Sequence, residues 1–151
     1  MDNSNEKLTA TLIHLSVLTQ YFIPFGNFIL PIIIWSSKKN ESEFIDYNGK
    51  QALNFQLSIF LYTVVLCLIA IPIFIFSILK NVPFENYHHC EDFFRENISI
   101  NNITGIAILG VIAVVIFFFL KIIEFILVIH AAVKTSNGEK YKYPMSIPFF
   151  K

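Results

Sequence analysis

The sequence is poor in charged residues and in cysteine, and each shortage argues against a class of protein. Charged residues make up 15% of the 151 positions, with 11 basic and 11 acidic side chains. This balance gives no general attraction for nucleic acid or another polyanion, so no nucleic-acid partner is predicted. Two cysteines are too few for a disulfide framework, and they lie apart, Cys67 in an apolar run and Cys90 in a polar loop.

Patterns typical of enzymes and metal sites are also missing from the sequence. No nucleophile and base stand at a recognisable spacing, and no glycine-rich loop has the pattern that cradles phosphate. One loop segment resembles a metal site in composition, His88-His89-Cys90-Glu91-Asp92. Neighbouring residues of an extended loop point in different directions, and no second ligand pair has the spacing of known sites. We therefore predict no enzymatic activity, no metal and no cofactor.

Apolar residues dominate the chain instead. They make up 55% of the sequence, and 17 of them are phenylalanine, which leaves too little polar surface for a soluble domain of this length. The runs 57–79 and 103–133 are each long enough to cross a hydrocarbon core of roughly 30 Å at about 1.5 Å per helical residue. The amino terminus is polar and has no basic segment, so no removable signal peptide is predicted.

The first apolar region, residues 8–35, is interrupted by Pro24-Phe25-Gly26-Asn27 and again by Pro31. It forms either one kinked span or a hairpin of two short helices, at about 9–23 and 28–37. We favour the hairpin because two breaks would cost a lone membrane helix several backbone hydrogen bonds. The predicted fold is an all-α polytopic membrane helix bundle in one domain, 1–151. Its four helical segments lie at about 9–23, 28–37, 47–79 and 103–134.

The distribution of lysine predicts how this bundle is oriented. Positive charges collect in the loop before the third segment and in the tail 135–151, whereas the loop 81–102 is acidic. By the positive-inside rule the first loop and the tail are cytoplasmic, and the acidic loop is extracytoplasmic. With the hairpin, both termini are then cytoplasmic.

A polar stripe leads into the third segment. At helical spacing, one face carries five polar residues, Tyr47, Gln51, Asn54, Ser58 and Tyr62. Polar side chains face lipid only at a high free-energy cost, so this face should meet protein or water. Three interpretations stay open. The stripe joins helices within the bundle, docks another membrane subunit, or lines a hydrophilic path.

The fourth segment carries a charged pair inside its apolar run. Lys121 and Glu124 are three residues apart and share a helix face. Each unpaired charge costs about 2.5–3.5 kcal/mol near the bilayer centre. The pair is a structural ion pair, a proton or substrate relay, or a bond to a partner protein, and Lys121 can also extend toward the membrane surface. In the first segment, His14 is interpreted as a hydrogen-bonded structural residue rather than a ligand.

A series of short motifs follows the chain in a characteristic order. They are His14-Leu15-Ser16, Pro24-Phe25-Gly26-Asn27, Pro31 with Trp35, Lys38-Lys39, Phe44-Ile45-Asp46, Gly49 to Gln56, Ala131-Ala132, Asn137-Gly138-Glu139, Tyr141 and Tyr143-Pro144. Together they resemble a bacterial membrane domain family of unknown function. That family is distantly similar to the Tic-twenty component of the chloroplast inner-envelope protein import machinery. The resemblance implies a multi-pass protein of the bacterial cytoplasmic (inner) membrane beside a protein-conducting pathway, although the long polar loop departs from it.

Two functional hypotheses follow. The first is a non-enzymatic accessory or interaction subunit of a larger membrane complex, one for protein translocation or insertion if the resemblance holds. Its partners would be other integral membrane proteins and the lipid bilayer. The second is a small oligomeric channel or transporter for ions or solutes. The chain shows no inverted repeat, and four helices leave little room for a pore, so the first hypothesis is favoured.

Overall fold

The computed structural model describes residues 3–79 and 100–150, and all regular structure within these ranges is helical. Helix α1 spans Asn3–Ser16 and continues into a 3₁₀ helix, Val17–Tyr21. Helices α2, α3 and α4 span Gly26–Lys38, Glu43–Leu79 and Ile100–Ser136. The prediction of an all-helical fold with four helical segments is confirmed. Most of the predicted polar loop, residues 81–99, lies outside the described residues.

The first apolar region forms a hairpin, because α1 packs against α2. The connection turns at Phe25, whose φ of 60° lies in the left-handed region immediately before α2 begins. Asn27, in the first turn of α2, donates its amide N–H to Oε1 of Gln56 at 2.8 Å and so ties the hairpin to α3. Pro31 is buried inside α2 without ending it. The kinked single span is therefore not the arrangement adopted.

Two helices in the described ranges are long and apolar enough to cross a membrane, within Glu43–Phe76 and Gly110–Ser136. Helix α3 has 37 residues and continues through Pro72. At about 1.5 Å per residue it measures roughly 55 Å, well beyond a hydrocarbon core of roughly 30 Å. A helix of this length exceeds what the hydrocarbon core requires, so its polar first turns need not lie within the core.

The chain divides into two compact units. Unit 1 comprises Met1–Leu61 and Leu120–Lys151, and unit 2 comprises Tyr62–Phe119. The apolar centre of unit 1 is formed by Ile13 of α1 with Ile45 and Ala52 of α3, and the partly buried Ile34 and Trp35 of α2 pack against it. These residues bring the hairpin and the polar start of α3 together, so unit 1 contains the candidate site described below.

Gly49 and Gly138 of unit 1 illustrate two reasons why a position requires glycine. At Gly49 a Cβ atom would lie 2.1 Å from Cδ1 of Trp35, so the absence of a side chain lets α2 and α3 approach. Helix α3 continues through this glycine. Gly138, with φ of 87°, ends α4, and its N–H donates to the Thr135 carbonyl oxygen at 2.9 Å.

Unit 2 presents mostly apolar side chains on its surface. Leu68 and Val114 are each 67% exposed, and Phe118 is 64% exposed. An apolar groove of about 320 Å³ lies between the two helices of this unit and is lined by Phe74, Gly110 and Ile116, among others. Such a surface is compatible with a lipid environment and would be unfavourable in water.

Candidate functional site

A network of buried polar side chains joins α1, α3, α4 and the tail in unit 1. Asn48 of α3 donates Nδ2–H to the Phe44 carbonyl oxygen at 2.9 Å, which fixes the orientation of its amide. Its Oδ1 then faces Nε2 of His14 and Oγ1 of Thr135, each at 3.2 Å. Because an amide oxygen only accepts, His14 carries its proton on Nε2. Nδ1 of His14 therefore accepts from the Tyr143 hydroxyl at 2.9 Å. We call these four side chains, those of His14, Asn48, Thr135 and Tyr143, the His14 network.

Tyr143 anchors the tail to the helices. Its ring is 2% exposed and stacks on Phe55, with centroids 4.2 Å apart and planes at 8°. Burial raises the pKa of Tyr143 well above its ordinary value, and the neighbouring Tyr141 and Glu124 raise it further. The phenol therefore keeps its proton and acts as the donor to His14.

Replacing Tyr143 with phenylalanine tests this assignment. We expect Tyr143→Phe to lower the free energy of unfolding by about 1–3 kcal/mol, because Nδ1 of His14 loses its donor in a buried position. Thermal unfolding in lipid nanodiscs measures the loss. Tyr141→Phe, at a half-buried position, is the matched control and should be close to neutral. Equal losses in the two variants would contradict the assignment.

His14 should make the protein sensitive to acid. It lies in α1, which is not one of the two candidate spans. Burial lowers the pKa of His14 from 6.5 to about 4, against a smaller opposing effect of the hydrogen bond to Asn48. The folded protein therefore binds this proton less readily than the unfolded chain, and stability falls as the pH drops from 6.5 toward 4. A full shift of this size corresponds to about 3 kcal/mol.

Unfolding midpoints measured between neutral pH and about pH 4.5 check this prediction, with His14→Gln as the comparison variant. Glutamine offers both a donor and an acceptor but does not titrate in this range. The acid-induced loss of stability should be clearly smaller in the variant. An unchanged pH profile would show that another group causes the effect.

A second cluster joins the 3₁₀ helix to α4. Lys121 Nζ lies 2.7 Å from Oε2 of Glu124 and donates to Oε1 of Gln20 at 3.0 Å. Gln20 in turn donates Nε2–H to Oε1 of Glu124 at 2.8 Å. The Glu124 side chain is fully buried, whereas that of Lys121 is 28% exposed. We call these three side chains the Gln20 triad, in which each member contacts both others.

The structure divides the predicted polar stripe of α3 into parts with different surroundings. Asn54 and Ser58 are buried. Tyr47 and Gln51 are half-buried and line an open cavity of about 400 Å³, together with Lys50, Lys142 and other residues. Tyr62 belongs to unit 2. Ser58 thus lies under another part of the chain, whereas Tyr47, Gln51 and the buried Asn54 all line the cavity.

The buried part of the stripe holds a segment of the tail. Oδ1 of Asn54 accepts from the N–H groups of Phe149 and Phe150, at 3.1 and 2.8 Å. Nδ2 of Asn54 donates to the Phe150 carbonyl oxygen at 3.0 Å. Ser58 donates to the Asn54 carbonyl oxygen at 2.7 Å, and its Oγ accepts from the Ile147 N–H at 2.8 Å. We call Asn54 and Ser58 the Asn54 clamp.

Ion pairs and aromatic contacts surround the cavity beside the clamp. Asp46 Oδ2 lies 2.7 Å from Lys50 Nζ, and Asp46 Oδ1 accepts from Trp35 Nε1 at 2.9 Å. Lys140 of the tail pairs with Glu43 at 2.7 Å and lies 5.3 Å from the centre of the Tyr47 ring. Helix α3 is therefore joined to the tail by the ion pair of Glu43 with Lys140 as well as by the hydrogen bonds of the Asn54 clamp to the tail main chain.

Sequence reasoning singled out His14 and paired Lys121 with Glu124, as the structure does, but it missed the partners of these residues on other parts of the chain. Asn48 and Tyr143 lie 34 and 129 residues from His14, and Gln20 lies 104 residues from Glu124. The spacing of residues within one helix does not indicate which residues of other helices or of the tail they contact. The structure also places no group of three or more potential metal ligands among the residues it describes. The segment 88–92 lies outside those residues.

Comparison with known proteins identifies a family over nearly the whole chain. The model of the MamF/MmsF family, described as the magnetosome magnetite crystal formation protein family, matches residues 5–150. No curated protein and no solved structure matches. The proposed resemblance to the Tic-twenty component is therefore wrong, and the role in protein translocation that it implied loses its basis.

Proposed function

Because the chain belongs to the magnetosome magnetite crystal formation protein family, we propose that it acts without catalysis, as an interaction subunit of a membrane assembly in that process. The family and the two candidate spans support a location in a bacterial membrane. Its partners in this proposal are other integral membrane proteins, which meet it at the cavity beside α3.

The observation that carries this proposal is the open cavity on unit 1. Tyr47 and Gln51 line it with Lys50 and Lys142, so aromatic, amide and cationic groups face one space of about 400 Å³. The elements around this space are fixed by the His14 network and by the ion pair of Glu43 with Lys140. A polar surface held in place before binding loses less entropy when a partner docks.

Contacts within unit 1 favour this role over a channel. Asn54 and Ser58 bond to the tail, and the carboxylate of Glu124 accepts from Lys121 and Gln20. These are the groups that a hydrophilic path through the chain would need to offer to water or to an ion. Their engagement with the protein itself supports a packed interior and leaves interaction as the better-supported function.

Site-specific photo-crosslinking in native membranes tests the proposal. We expect a photoreactive residue at Gln51 to give crosslinks to a discrete set of other membrane proteins. The same residue at Leu68, which is 67% exposed in the apolar part of α3, serves as the matched control and should give mostly lipid adducts. Crosslinks from Gln51 that remain within the chain, or that match the Leu68 pattern, would contradict an interaction role.

The orientation in the membrane has its own test. The pairing of Glu43 with Lys140 supports a topology in which the loop before α3 and the tail share one side, and both carry lysines. By the positive-inside rule we expect that side to be cytoplasmic. Cysteines introduced at Asn40 and Asn137 should therefore be labelled from the cytoplasmic side, and Cys90 from the opposite side. Labelling of Asn40→Cys and Asn137→Cys from different sides would contradict this topology.

A further inference from the structure

The tail segment bound by the Asn54 clamp has a defined shape. The Phe149 N–H donates to the Ile147 carbonyl oxygen at 3.0 Å and closes a three-residue turn centred on Pro148. The proline ring holds φ near −65°, close to the value that an inverse γ-turn requires, so the turn is largely preformed. After the turn, the N–H groups of Phe149 and Phe150 converge on the single oxygen Oδ1 of Asn54.

The clamp recognises main-chain groups of this turn. Asn54 and Ser58 make hydrogen bonds to three N–H groups and one carbonyl oxygen, and to no side chain of the turn. Phe149 and Phe150 remain 48% and 41% exposed. The Phe150 ring adds a contact with Trp35, with centroids 5.8 Å apart. A segment needs little more than a proline-centred turn followed by an aromatic residue to make the same contacts.

The connection to this segment contains a strained residue. Met145 has φ of 61°, a left-handed conformation that is unfavourable for residues other than glycine. It lies between Tyr143, which is anchored in the His14 network, and Ile147, where the clamp begins. Opening of the segment would release this strain while Tyr143 stays in place. The 400 Å³ cavity is lined by Pro148 and Phe150 themselves, so a competing segment has room to approach.

We infer that the Asn54 clamp is a docking site for a proline-centred, aromatic turn of a partner membrane protein, and that the segment Ile147–Phe150 occupies it until the partner binds. This inference rests on the proposed interaction role and names the chemistry of the partner at that surface. It also explains why the tail covers Asn54 and Ser58 while Tyr47 and Gln51 of the same stripe are only half-buried. The open residues Tyr47 and Gln51 meet the partner first, and the covered residues bind it after exchange.

Peptide binding to the full chain in lipid nanodiscs tests the inference. The probe is a fluorescent peptide with the sequence SIPFFK, which is that of residues 146–151. The variant Phe149→Pro removes one N–H donor from the chain's own segment, so it should bind the peptide at least tenfold more tightly than the wild type. Adding Asn54→Leu to this variant should reduce binding at least tenfold. A peptide methylated on the two phenylalanine nitrogens should bind neither protein.

A second variant tests the inference without removing a hydrogen-bonding group, so that a folding defect in Phe149→Pro or Asn54→Leu cannot account for the result. Met145→Gly relieves the left-handed strain of the closed segment, so it should weaken peptide binding several-fold while every clamp residue is retained. Binding that is unaffected by Asn54→Leu, or equal for the methylated peptide, would overturn the inference. So would a folded Phe149→Pro protein that binds no peptide. Crosslinks from Gln51 to membrane partners do not depend on this peptide, so failure here is distinguishable from failure of the proposed function.

Discussion

Replacing Gly49 with alanine should be among the most destabilising single changes in the described part of the chain. The added Cβ would lie 2.1 Å from Cδ1 and 2.5 Å from Cγ of Trp35. The indole cannot move aside easily, because Nε1 donates to Asp46 and the ring contacts Phe150 and Lys39. Overpacking in a core typically costs about 1–3 kcal/mol, and we expect Gly49→Ala to lie at or above the upper end of that range. Thermal unfolding in nanodiscs measures it.

Gly110 provides the matched control for this change. It also lies within a long helix, but a Cβ there would meet no atom within 4 Å. Gly110→Ala should be neutral or stabilising by up to about 1 kcal/mol, because alanine favours a helix over glycine. Combining Gly49→Ala with Trp35→Ala should cost less than the sum of the two separate changes. Similar losses for Gly49→Ala and Gly110→Ala would show that close approach of Trp35 is not the cause.

The helices of this protein could be predicted from sequence because their signals are local. Apolar runs of sufficient length indicated α3 and α4, and the proline, glycine and asparagine of residues 24–27 indicated the hairpin connection. The starts of the helices were predicted too late, α1 at residue 9 rather than Asn3 and α3 at residue 47 rather than Glu43. Those first turns are polar, and their side chains form hydrogen bonds with residues from distant parts of the chain. Ser42, for example, donates to Glu6 at 2.9 Å.

The candidate site was less predictable, since its contacts are long-range. A polar stripe on α3 was visible at helical spacing, but nothing in one sequence indicated that Asn54 and Ser58 bind the main chain of residues 147–150. That Tyr47 and Gln51 dock a partner stays a prediction. The same limit applies to Gly49, because its close approach to Trp35 joins two helices and the periodicity of one helix does not indicate it.

The mistaken family resemblance has a physical explanation in the same contacts. Several of the motif residues that suggested it hold unit 1 together. His14 bonds to Tyr143, Trp35 packs on Gly49, and Gly138 ends α4. Motifs of this kind report how helices pack, and similar packing serves unrelated functions. The family match covers residues 5–150, so it is stronger evidence of relationship than a few short motifs in a given order.

The largest electrostatic effects are expected in the Gln20 triad. Lys121→Met leaves the fully buried carboxylate of Glu124 with Gln20 as its remaining partner in the triad. Glu124→Leu leaves the charge of Lys121 without its carboxylate. Removing one member of a buried ion pair typically costs about 3–5 kcal/mol, whereas replacing both by apolar residues is often close to neutral. We therefore expect each single change to lower the unfolding midpoint more than the double change does, with Lys121→Met the worst because Glu124 is the more deeply buried charge.

Two comparisons decide what the triad contributes. Lys134→Met breaks an exposed pair with Glu139, at side-chain exposures of 42% and 53%, and should cost less than about 1 kcal/mol. Equal losses for this variant and Lys121→Met, or additive losses in the double variant of the triad, would show that Lys121 and Glu124 are not coupled.

If the pair only fixes the packing of α4 on the 3₁₀ helix, the double variant should keep the Gln51 crosslinks to partner proteins. A relay of protons or solutes needs the charges themselves, so in that case the stable double variant would keep its crosslinks but lose the activity in magnetite crystal formation that is proposed above.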